Sequence, residues 1–187
     1  INGGFFNISG GNPAKFIASW NGSTWSPLGG GLNHEPLGLI SYNGEVFAGG
    51  LFDSAGGVSA KYVARWNGSQ WQNAGDGFNS VVNTFIEYNG DLIAGGWFTA
   101  SGNEIISGVS KWDGSNWRSM GTGIIGTVYA FCIFRGELYA GGCFNYASGI
   151  PAGGIARWDG NKWNPVGAGI AGGDKTIYTL AVYNNEL

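Results

Sequence analysis

The chain has 187 residues, 43% of them hydrophobic, enough to bury a sizeable core. Only 11% are charged and the net charge is −3, with nine Lys and Arg in all, so a basic nucleic-acid-binding surface is excluded. No apolar run approaches the roughly 18 residues of a membrane-spanning helix, and 37 glycines without a collagen period point to the tight turns of an all-β protein. No signal peptide is present and the chain opens with Ile1, which reads as a processed form or an excerpt.

One hexapeptide occurs four times: "WNGSTW" from Trp20, "WNGSQW" from Trp66, "WDGSNW" from Trp112 and "WDGNKW" from Trp158, each start 46 residues after the last. Aligned on it, the chain divides into repeats 1–46, 47–92, 93–138 and 139–187, the last with three extra residues around "AGGDK". Each repeat also carries a double glycine (Gly3-Gly4, Gly49-Gly50, Gly95-Gly96, Gly141-Gly142) and then a phenylalanine (Phe6, Phe52, Phe98, Phe144). Self-similarity at such a period marks a propeller, solenoid or array.

In chain order, one unit reads as four short strands. "TFIEY" (84–88) passes through an Asn89-Gly90 turn into "LIAGGWF" (92–98), and Asn-Gly between apolar runs is a strong hairpin signal because both positions of a type I′ turn need φ > 0. "GVSKW" (108–112) and "NWRSM" (116–120) follow, joined around Gly114-Ser115, which sets Trp112 across from Trp117. The segments 7–15, 53–61, 99–107 and 145–154 read as loops between second and third strands, and 32–36, 78–82, 124–127 and 170–176 as loops between units. The expected fold is all-β: a β-propeller of four-stranded antiparallel blades, a single domain over 1–187. "YNNEL" at the end would run into "INGGFF" at the start. A four-bladed ring, half of an eight-bladed homodimer and a slice of a longer reading frame all remain open.

Eight of the nine tryptophans belong to the hexapeptides. We read each pair as a brace, the flat apolar surface one blade presents to the next. A sugar site would demand polar, matched flanks, whereas Ser19, Arg65, Lys111 and Arg157 precede the first Trp and Ser26, Gln72, Arg118 and Asn164 follow the second. Cys132 is expected opposite Tyr139, roughly 13 Å along the strand from Cys143, so the two read as buried apolar thiols without a disulfide.

The double glycine closing the second strand and the paired aromatic hairpin, "FAGG…YVARWNGSQW", resemble the Kelch repeat over the whole chain. The turn is shorter than in Kelch repeats, and Trp66 stands where they carry Tyr-Asp. The "ARWDG" core is more similar to repeats of secreted bacterial surface proteins and of the fungal cortical cell-polarity marker family. That resemblance implies an extracellular or cell-surface location and a role in adhesion or scaffolding, with a protein or glycan partner on a cell surface. The hairpin also resembles the Asp-box of sialidases. "WDGSNW" is one residue short for it, however, and Arg65, Arg118, Arg135 and Arg157 form no cluster by position.

The expected function is a non-enzymatic binding or scaffold module without cofactor or metal; a lectin is the alternative, with sites in the long loops or in clefts between blades. The short hairpin turns look like plain scaffold, so binding is expected at the long-loop end. Glu45, Asp91, Glu137 and Glu186, with Asp113 and Asp159, read as turn chemistry. Candidate ligand-binding residues are Glu104, Asp174 and His34 on the loops, and Trp97 with Asn145 and Tyr146 as a sugar-stacking platform. Trp97 follows the double glycine where Phe5, Leu51 and Cys143 stand in the other repeats, and core packing is its bland alternative. The sequons at Asn7, Asn21 and Asn67 matter only in a eukaryotic secretory setting, and two of them are the turn motif itself.

Overall fold

Four antiparallel sheets follow one another along the chain in a computed structural model that describes residues 1–172 and 175–187. No helix occurs among the described residues. The first sheet has three main strands, Asn2–Gly3, Ile17–Trp20 and Trp25–Pro27. The second has four, Pro36–Tyr42, Glu45–Gly50, Val63–Trp66 and Trp71–Asn73. The third repeats it with Val82–Tyr88, Asp91–Gly96, Val109–Trp112 and Trp117–Ser119. The fourth has Ile124–Phe134, Glu137–Ala147, Ile155–Trp158 and Trp163–Pro165.

Local chemistry sets the registers. Asn89 and Gly90 hold φ 53° and 82°, as a type I′ turn requires, and Tyr88 pairs with Asp91 across it. Trp20 faces Trp25, Trp66 faces Trp71, Trp112 faces Trp117 and Trp158 faces Trp163, with ring centroids 5.1–5.6 Å apart. In each hexapeptide the Asn or Asp after the first Trp accepts two backbone N–H bonds from the turn: Asn21, Asn67, Asp113 and Asp159 all do so at 2.7–3.0 Å.

The segments expected as plain loops between second and third strands carry structure. Small two-residue ladders, Ile8–Ser9 with Asn12–Pro13, Ser54–Ala55 with Val58–Ser59 and Ala100–Ser101 with Glu104–Ile105, occupy three of them. In the fourth, Ile150–Pro151 pairs with the second strand itself. Ladders this short leave too few residues to display a period of two, which is why the sequence reads as loop.

The core lies between sheets and is divided into three clusters. One joins Ile17, Leu28 and Leu32 to Phe52, Ala64 and Trp71; the next joins Phe47 and Val63 to Leu92, Trp112 and Trp117; the third joins Ile93 and Val109 to Leu138 and Trp163. The double glycine is what lets successive sheets approach. A Cβ on Gly49 would stand 2.5 Å from Val82 Cγ1 and 2.8 Å from Phe85 Cζ, on the first strand of the next sheet. Gly95 is covered likewise by Val128 and Phe131, Gly141 by Ile177 and Leu180, and Gly3 by Pro36 and Leu39. The second glycine serves its own sheet: Gly50, Gly96 and Gly142 lie against the backbone of their own first strands, beside a register shift that recurs at Pro36/Gly38, Val82/Thr84 and Val128/Ala130.

Hydrogen bonds repeat across the junctions. Tyr42 and Tyr88 donate to the carbonyls of Gly90 and Gly136 in the next sheet's turn, and the indoles of Trp71 and Trp117 donate back to Leu28 and Ala74. Among the described residues, no hydrogen bond or ring contact joins the first sheet to the fourth, and the terminal segments form no ladder with each other.

Candidate functional site

The residue after the double glycine faces solvent in all four repeats. Trp97 is 63% exposed, Phe5 85% and Leu51 38%, and Cys143 is exposed as well. Core packing for Trp97 is therefore overturned, as is a buried Cys143. The residue lies just beyond the two glycines that take up the close contacts, and its backbone N–H already bonds Val81 O, so its side chain turns away from the junction. Cys132 pairs with Tyr139 as expected and is half-buried, and both thiols are free.

Asn145 and Tyr146 line a groove of ≈360 Å³ together with Pro151, Ile170 and Lys175, where the small ladder of the fourth sheet meets the following loop. Trp97 does not line it, so the platform expected from the sequence is divided between two places. Asp174 lies outside the described residues. His34 is half-exposed; its ring stacks on Phe16 at 6.1 Å, and its Nδ1 accepts from the Glu35 N–H at 3.1 Å beside the Glu35 carboxylate.

Glu104 serves its own sheet. Its carboxylate accepts the Ser119 N–H at 2.9 Å and pairs with Arg118 at 2.9 Å, tying the small ladder to the fourth strand. The Ser119 bond first and the Arg118 bond second lower its pKa. Arg118 also meets Asp113 at 2.7 Å. Asp113 and Asp159 are held ionised down to about pH 2, chiefly by the turn N–H groups of Asn116 and Lys162 respectively.

The hairpin acids do more than turn chemistry. Glu45 pairs with Arg65 at 3.1 Å, Asp91 with Lys111 at 3.2 Å and Glu137 with Arg157 at 2.8 Å, the same cross-strand pair in three repeats. Three of the residues before the first Trp thus have an acid partner on the neighbouring strand, a pairing hidden by the 20 residues separating the partners, while Ser19 and the residues after the second Trp follow no such pattern. No group of three His, Cys, Asp or Glu residues converges among the described residues.

No protein-family model matches the chain, and no curated protein matches it.

Proposed function

We propose that the chain is a non-enzymatic binding and scaffold module of an extracellular or cell-surface protein, built from Kelch-like propeller blades. Three complete four-stranded sheets and a three-stranded one, packed serially through repeated glycine and tryptophan contacts, support the propeller reading. The observation that carries the binding reading is the row of exposed apolar side chains at one repeat position, Phe5, Leu51 and Trp97. Their recurrence at one position of the repeat is what supports an interaction surface there. The acids of the hairpins are engaged in turns and ion pairs, which assigns them structural work.

A glycan partner is the second reading, favoured by Trp97, whose exposed ring can stack on a sugar. The test applies fluorescently labelled chain to intact cells before and after protease treatment and mild periodate oxidation. Binding that is lost with protease identifies a protein partner, and loss with periodate a glycan. The paired variant Phe5→Ser/Trp97→Ser is expected to reduce either. Full retention by that variant removes this surface from the reading.

A further inference from the structure

The three junctions between sheets share the double-glycine contact but differ around the first tryptophan of the hexapeptide. At the second junction Phe47 packs edge-on against Trp112, centroids 5.8 Å apart and planes at 66°, and Trp112 is buried. The corresponding residue at the third junction, 46 positions on, is Ile93, which brings no ring to Trp158. Trp158 is consequently half-buried. At the first junction, where Ile1 holds that position, Trp66 closes directly onto Gly29, leaving no room for a Cβ there; Trp158 would stand 3.5 Å from a Cβ on Gly121, near the 3.2 Å of Trp112 from one on Gly75, so the third junction is loosened chiefly at Ile93. The indole bond across the junction is missing too, although Tyr88 still donates to Gly136 there. Trp71 and Trp117 each donate to a carbonyl 43 residues earlier, whereas fully buried Trp163, 43 residues after Met120, finds no partner for its Nε1 among the described residues.

The result is a groove of ≈650 Å³ between the third and fourth sheets, opening at the hairpin-turn end and lined by Ile93, Met120 and Trp158. That volume falls in the range of roughly 300–1,000 Å³ typical of ligand pockets. Its rim is polar and nearly charge-balanced. Asp91 is paired with Lys111, and Glu137 with Arg157. Asp159, ionised down to about pH 2, adds a negative charge that disfavours anions. Asn89 and Asn161 line the groove, and among the described residues no hydrogen bond engages their side-chain amides.

We infer that this groove binds a neutral saccharide, one ring stacked on Trp158 and its hydroxyls met by the Asn89 and Asn161 amides. An aromatic face beside free amides and carboxylate edges matches a sugar ring's apolar face and its belt of hydroxyls. The site lies away from the exposed Phe5, Leu51 and Trp97, and stands or falls separately from the surface proposed above.

The test titrates the whole chain with methyl mannoside, methyl galactoside, cellobiose and N,N′-diacetylchitobiose, read by tryptophan fluorescence and by calorimetry. At least one is expected to bind. Ile93→Phe, which restores the plug present at the second junction, weakens that binding about tenfold or more. Asn89→Ala/Asn161→Ala, which trims only surface amides, weakens it as well and serves should the Phe variant fold poorly. The absence of binding up to about 10 mM, above the millimolar range of weak sites, overturns the inference. So does binding that both variants retain. Loss in Trp97→Ser with Ile93→Phe unaffected also overturns it, moving the sugar to the loop end and leaving the surface reading in place.

Discussion

At the scale of single residues, four hexapeptide turns offer a built-in comparison of amide with carboxylate. Asn21 and Asn67 accept the same two turn N–H bonds as Asp113 and Asp159. Only the acids titrate. Their folded-state pKa lies below the unfolded value, so their contribution is complete above about pH 4 and is lost as pH falls through about 2. Asp113→Asn/Asp159→Asn is therefore expected to keep both turns and flatten the acid limb of stability, measured as denaturation midpoint between pH 2 and pH 5. An acid limb as steep as that of the parent would place its origin elsewhere. These acids were legible in the sequence because a turn cap is local. The exposure of Trp97 and Cys143 was not, since an apolar residue after two glycines looks like core until the glycines are seen to make the close contacts themselves.

At the scale of the element, the second glycine of each pair meets different surroundings. A Cβ on Gly96 would collide with the Val81 carbonyl and Val82 of its own first strand, while one on Gly4 would meet only the Phe6 ring, at 3.8 Å. Gly96→Ala is expected to cost about 1–3 kcal/mol by overpacking, and Gly4→Ala to fall within about 0.5 kcal/mol of the parent, both read from urea unfolding. Equal costs would show that backbone entropy, not the strand contact, is the reason for glycine there. Periods of 46, Asn-Gly turns and facing tryptophans all declare themselves within a few residues, so the strands of each sheet follow from the sequence. Ion pairs across 20 residues, and small ladders two residues long, do not. The opened third junction hangs on Ile93 standing where Phe47 stands one repeat earlier, a difference without meaning until the facing tryptophan is in place.

At the scale of the whole molecule, the first strand and the segment after Ile177 stand out, among the described residues, as backbone left without a ladder partner on one side. Among the described residues, the outer edge of Asn2–Gly3 has no neighbour, and beyond Ile177 the segment carries exposed Tyr178, Val182 and Tyr183 without joining a ladder with another strand. Unpaired edges of this kind associate. Light scattering on a sizing column is expected to give a mass that rises with concentration from 19.6 kDa toward twice that value. Thr179→Pro, which removes a backbone donor from the segment, should hold the mass at the lower figure. A parent mass fixed at 19.6 kDa at every concentration would mean that both edges are satisfied within one chain, as a four-bladed ring requires.

The covering of Gly49 by Val82, of Gly95 by Val128 and of Gly3 by Pro36 sets a schedule for synthesis. Each notch is filled by a side chain that leaves the ribosome 33 residues later, a delay of about 2–7 s at ordinary elongation rates. Most of that interval goes to the sheet's own third and fourth strands, and the face at the glycine stays uncovered until the first strand of the successor arrives. Maturation therefore advances with the growing chain from the amino end, one repeat behind translation.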